Sequence, residues 1–269
     1  MNTLKTITTL LIMALALGVL ASTSAIAYQV SAAPVDQAEM AIDANAYDDA
    51  AARLETSRAI TAVYGITVAD RTASWKLDEV RSLKSGLDRI ADRVSQITGR
   101  NGRRVMRQLF HGVTFYRDRF WRGNIAYTIG GTVIFYDVWT TYDNTGRAFY
   151  LAHELGHVLD AEDSPLHLLL GEVSQTFAHN VAAYTDELGG YHLGLAYPLH
   201  DPRDQPRHRS DNAAEDWAES FATVAVPTFE SDLRDIGVVR EQEVQRLIGL
   251  WVEQYEAQQP HWQPRVSRK

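Results

Sequence analysis

The spacing of apolar residues changes twice along the chain and divides it into helix, sheet and helix. Trp75, Leu77, Val80, Leu83, Leu87, Ile90, Val94 and Ile97 recur every three or four residues, the repeat that lines one face of an α-helix. They predict one long amphipathic helix starting near Ser74 and ended by Gly99 to Gly102. From Val113 the period shortens: Val113 to Tyr116 reads as a short strand, and two β-branched and aromatic runs, Ile125 to Ile129 and Thr132 to Val138, flank Gly130-Gly131. Both glycines can take positive φ, so these runs predict a hairpin. After Asn144-Thr145-Gly146 the helical period returns, with candidate helices Ala148 to Asp160, Leu166 to Leu188, Ala213 to Val226 and Glu241 to Gln258. A loop rich in Pro, Gly, His and Asp, about Gly189 to Ser210, separates the second from the third. No internal repeat is present. The order predicts an α+β domain, a small mixed sheet plus helices, over residues 72–269. Residues 28–71 show weak helical patterning and read as a helical appendage, a linker or a propeptide.

The first residues change the picture. Lys5 precedes an apolar run from Leu10 to Ala21, and small residues follow, ending Ala25-Ile26-Ala27. This is the layout of a secretory signal peptide over residues 1–27, with the mature chain starting at Tyr28. The run is shorter than the ~20 residues of a membrane span, so a secreted protein, extracellular or periplasmic, is expected, with no stable membrane span after cleavage. The chain has no cysteine. Without disulfides, stability outside the cell rests on core packing and on any bound metal. A net charge of −8 and a pI near 5.6 argue against nucleic acid as a partner, which needs clustered cations. Arg100, Arg103, Arg104 and Arg107 read as a solvated helix edge.

The candidate chemistry lies in His153-Glu154-Leu155-Gly156-His157, inside a predicted helix. The i, i+4 spacing sets both imidazoles on one face, close enough to share a metal ion, and puts the Glu154 carboxylate beside it. Glu154 can there accept a proton from an attacking water, as a general base. Gly156 leaves room for a neighbouring element. A catalytic zinc takes three protein ligands and keeps one position open. The residues leave three routes to the third ligand. Asp163 would supply a local one, although that arrangement wants a glycine where Asp160 stands. Glu215 and Glu219, four apart on a later helix, would supply one ligand and one residue to orient a histidine. His192 or His200 from the loop is the third route.

With these motifs in place, the chain resembles the family of the anthrax lethal factor catalytic domain, which includes bacterial Pro-Pro endopeptidases. The matching residues are His153-Glu154-Leu155-Gly156-His157-Val158-Leu159-Asp160 and Asn212-Ala213-Ala214-Glu215-Asp216-Trp217-Ala218-Glu219-Ser220-Phe221. The resemblance covers roughly residues 72–230. It implies a zincin-like metallopeptidase domain with a zinc site between the two helices. Glu215 would be the third ligand, Glu219 would support a ligand, and Asp160 would be structural or stand behind the ligands. The implied activity is hydrolysis of protein or peptide substrates, with Glu154 as general base.

The sequence departs from that family at His208, where a tyrosine would stabilise the oxyanion. A protonated His208 can donate the same hydrogen bond, and Tyr191 or Tyr197 can substitute. The run Thr132 to Val138 reads either as an edge strand for aligning an extended peptide or as an ordinary core strand. Trp75, Trp121, Trp139 and Trp217 read as core or groove walls. Two functions stay open: a secreted zinc endopeptidase, and a zinc-binding protein of the same fold that acts as a non-catalytic interaction module.

Overall fold

The computed structural model describes residues 37–119, 124–187, 209–226 and 230–258. The chain divides into two compact units, Met1–Tyr47 and Asp48–Lys269. Residues 37–47 of the first are helical; everything below concerns the second. Helix α1 is Gln37–Tyr64, and its last turns bury Ile60 and Tyr64 in the core. The larger unit thus begins well before residue 72, because residues 60–70 carry core side chains and a strand of the sheet.

That sheet has four short strands: β1 (Thr67–Asp70), β2 (Thr114–Arg117), β3 (Ala126–Ile129) and β4 (Thr132–Phe135). Their spatial order is β1-β2-β4-β3. β1 and β4 run parallel to β2, and β3 returns antiparallel along β4, so the sheet is mixed. The expected hairpin is present, with Ile129 opposite Thr132 and Gly130 at φ +54°. Of the two readings of the Thr132 to Val138 run, the structure bears out the core strand and not the edge strand. β4 is paired on both sides, since the second arm of the hairpin lies against β2 and leaves the first arm, β3, outside. The end of the predicted run, Asp137 and Val138, belongs to a 3₁₀ turn (Asp137–Thr141).

The long predicted helix is α2 (Leu77–Thr98), with Val80, Leu83, Leu87, Ile90 and Val94 buried at helical spacing. Gly99, at φ +64°, closes it. The arginines read as a helix edge do lie at a short helix, α3 (Gly102–Phe110), which buries Val105, Met106, Leu109 and Phe110. A Cβ on Gly102 would lie 1.7 Å from the Ala91 carbonyl oxygen, so only glycine lets α3 start this close to α2. The arginines around α3 act as ties: Arg100 bonds Glu256 through two nitrogens at 2.7 and 2.8 Å, and Arg103 reaches Asp88.

The remaining helices are α4 (Asn144–Asp160), α5 (Pro165–Leu170), α6 (Val173–Glu187), α7 (Arg209–Ala225) and α8 (Glu230–Gln258). The single helix expected from Leu166 to Leu188 is broken at Gly171, which stands at φ +77°. No helix among the described residues is long and apolar enough to cross a membrane. The α+β class with a small mixed sheet is therefore as expected.

Helix α4 is central, held between α2 and α7 by two close crossings. A Cβ on Gly86 would stand 2.8 Å from Leu151 Cδ2, and one on Gly156 would stand 2.8 Å from the Ala218 Cα. The second crossing is backbone against backbone, so any side chain at 156 would drive α4 and α7 apart. Trp217 fixes their register, donating from Nε1 to the Gly156 carbonyl at 2.8 Å while its ring packs on Phe177. On the sheet side, Trp75 meets Phe135 and Trp139 edge to face, and those two rings are tilted on each other, with centroids 5.0–6.0 Å apart. Trp75, Trp139 and Trp217 are thus core residues; Trp121 lies outside the described residues.

Candidate metal centre

Asp143 starts α4 by accepting the Thr145 and Gly146 amides, and the helix runs unbroken through the His153–His157 segment. The i, i+4 spacing turns both imidazoles toward α7, which the Gly156 crossing brings within reach. His153 Nε2 and His157 Nε2 lie 3.1 Å apart. The Glu215 carboxylate closes the triangle, with oxygens 3.3 Å from His153 Nε2 and 3.4 Å from His157 Nε2. One ligand atom from each of His153, His157 and Glu215 lies within 4.8 Å of the others. Two imidazole nitrogens and a carboxylate converging on one point form a donor set that suits a divalent metal ion such as zinc.

Glu219, one turn along α7, contacts the opposite side of His153, 3.2 Å from Nδ1. A carboxylate that accepts the Nδ1 proton fixes the tautomer and leaves Nε2 facing the triangle. Burial opposes a charge on His153, but hydrogen bonds to Glu215 and Glu219 and the nearby Glu154 outweigh it and push its pKa up to about 10. Burial likewise opposes the Glu215 charge, yet contact with both histidines holds its carboxyl far below the usual range. A metal entering this site displaces the proton on His153.

Glu154 is buried, at 6% exposure, and points from α4 toward the sheet. Thr128 Oγ1 on β3 donates to its Oε2 at 2.6 Å. Asp160 stands elsewhere: its Oδ1 accepts the Ser174 amide at 2.8 Å and so anchors the start of α6. Asp163 is not part of the triangle; its Oδ1 lies 4.0 Å from where a Gly130 Cβ would be, beside the hairpin turn. His208, Tyr191, Tyr197, His192 and His200 lie outside the described residues.

Two residues near the site escaped the sequence reading. Thr128 carries no motif, and only the fold brings it to Glu154. Tyr150 had a legible signal: with His153 and His157 it forms an i, i+3, i+7 series on one face of α4. Its hydroxyl lies 3.5 Å from that of Tyr142. Burial, the bond to Tyr142 and the Glu219 charge push the Tyr150 phenol pKa well up, so it stays a neutral hydrogen-bond donor.

Comparison with protein-family models and with curated proteins gives no match in either. The assignment of roles to these residues therefore rests on their chemistry and geometry.

Proposed function

We propose that this chain is a secreted zinc-dependent endopeptidase with a zincin-like domain, similar to the anthrax lethal factor catalytic domain family. The observation that carries the reading is the convergence of His153, His157 and Glu215 on one point beside a buried glutamate, Glu154. Bound there, zinc would supply a polarised water whose pKa is lowered towards ~7 and a Lewis acid for the substrate carbonyl. The residues of the chain do the rest. Glu219 holds His153 in its ligand tautomer. Glu154 takes the proton of the attacking water and can deliver it to the leaving amine. The outer strand β3 lies against α4, and its open edge offers main-chain groups along which an extended peptide can pair.

The test is metal analysis and peptide-library hydrolysis on the full mature chain. Wild type should carry about one zinc per chain and lose activity on chelation. Glu154→Gln should keep the metal and lose ~10²-fold or more in turnover, because the amide accepts no proton. Glu215→Ala should lose the metal and Asp163→Ala should keep it; the reverse pattern would move the third ligand to Asp163. A chain that holds zinc but hydrolyses no peptide would instead be a non-catalytic binding module.

A further inference from the structure

Strand β3 carries more than an open edge. The Tyr136 amide donates to the Ile125 carbonyl at 3.0 Å, and Ala126 pairs with Phe135 next along. Ile125 and Tyr136 therefore form a hydrogen-bonded pair, and such pairs alternate with non-bonded ones along an antiparallel ladder. Tyr127 and Ile129 then turn their main-chain groups to β4, while Ala126 and Thr128 turn theirs to the open side. No strand among the described residues lies on that side. The side chains alternate too: Tyr127 is 50% and Ile129 62% exposed, whereas Thr128 points inward to Glu154. Its hydroxyl has one proton, and the 2.6 Å contact to Glu154 Oε2 takes it in preference to the Glu154 carbonyl at 3.3 Å. Glu154 Oε1 is left unengaged by Thr128.

We propose that Thr128 is a positioning residue that registers base and substrate together. Its hydroxyl clamps Glu154 by Oε2 and leaves Oε1 for the proton of the attacking water. Its own N–H and C=O pair with the main chain of an extended peptide. One residue thus sets both the base and the bond to be cut, and threonine suits the place because its branched side chain has few rotamers and favours a strand. This rests on the peptidase reading of Glu154.

The experiment compares zinc-loaded wild type, Thr128→Val and Thr128→Ser by crystallography and by steady-state kinetics on a cleaved library peptide. Valine keeps the shape and the main-chain pairing and removes the donor. In Thr128→Val the Glu154 carboxylate should leave its wild-type place, kcat should fall about 10-fold or more, and KM and zinc content should stay within twofold. Thr128→Ser should restore the carboxylate position and most of kcat. A Thr128→Val protein whose Glu154 stays in place, or whose kcat stays within twofold, overturns the proposal. Should Thr128→Val fail to fold, Thr128→Ala carries the same expectations. If wild type cleaves no peptide, the peptidase reading fails, and the position of Glu154 in the crystals still decides whether Thr128 holds it.

Discussion

Among the buried charges of this domain, those around Arg117 and around His153 each set a central cationic group against two acids. At Arg117, which is 4% exposed, the guanidinium points outward to its partners. Nε reaches Glu79 at 3.3 Å, Nη2 reaches Asp137 at 2.6 Å, and Nη1 reaches the carbonyls of Phe135 and Asp118. Glu79 also accepts the Lys76 amide at 3.0 Å. The charge at the centre is permanent and its donors are used. At His153 the arrangement is inverted: nitrogens and carboxylate oxygens point inward at one another, and the positive charge is a proton. A proton can be exchanged for a metal ion; a guanidinium cannot. The Arg117 cluster is closed around its cation, whereas the His153 cluster is a set of converging groups that could hold a metal ion.

The comparison predicts opposite responses to losing an acid. Glu79→Leu should cost the most, about 3–5 kcal/mol in urea denaturation, because it takes from a buried guanidinium the one of its two acids that is itself buried. Metal affinity of the folded protein should be unchanged. If Glu79→Leu instead lowers zinc affinity at full stability, the Arg117 cluster belongs to the site and the contrast collapses.

Glu219→Gln sharpens the other side. The amide no longer accepts the Nδ1 proton of His153 as a charge, and loss of such a partner typically lowers metal affinity 10–100-fold. Chelator competition reads that change directly. Stability of the metal-free protein should fall by less than with Glu79→Leu, since the glutamine side chain keeps an acceptor in place for the His153 Nδ1 proton. A large fall in stability with unchanged affinity would show Glu219 to be a second Glu79.

How far each cluster could be read from sequence follows from the same contrast. His153, Glu154 and His157 share one helix, so spacing alone places them together. Glu215 needs the Gly156–Ala218 crossing, and only the paired motifs hinted at it. Thr128 and Arg117 reach their partners through sheet register, which no local pattern encodes. The fold shows the same division. α2 and the Gly130-Gly131 hairpin have long or strongly marked patterns and were legible. β1 has only four residues with a half-exposed pattern. α3 begins on the glycine-bounded stretch that ends α2, which hid its bounds although its arginines read as a helix edge. The break at Gly171 was masked by the run Leu168-Leu169-Leu170, which continues the apolar pattern up to it.

The smallest effect is expected at Asp88, a charge near the surface that separates closure from burial. Its carboxylate accepts from Tyr64 at 2.6 Å, Lys84 at 2.7 Å and Arg103 at 3.2 Å, so it is surrounded much as Arg117 is, but its two cationic partners, Lys84 and Arg103, are solvated. Partial burial raises its pKa, yet the bonds from Lys84, Tyr64 and Arg103 outweigh that and hold it below the ordinary aspartate value. A carboxyl lowered in the native state adds stability above its unfolded pKa of ~3.9, and that stability is lost as pH falls through the native value. Asn keeps the Oδ1 acceptor for Tyr64 and Arg103, so Asp88→Asn removes the charge and, with Oδ2, the acceptor of Lys84. It should cost about 1 kcal/mol or less at pH 7, and the gap from wild type should close as urea denaturation is repeated from pH 4 downward. High salt should narrow it at neutral pH as well. A gap that stays constant into acid would mean that the carboxylate charge contributes nothing and that hydrogen-bond geometry alone holds this corner of α2. A loss at pH 7 as large as that of Glu79→Leu would mean that closure around a charge, and not its burial, sets the cost of opening the Arg117 cluster.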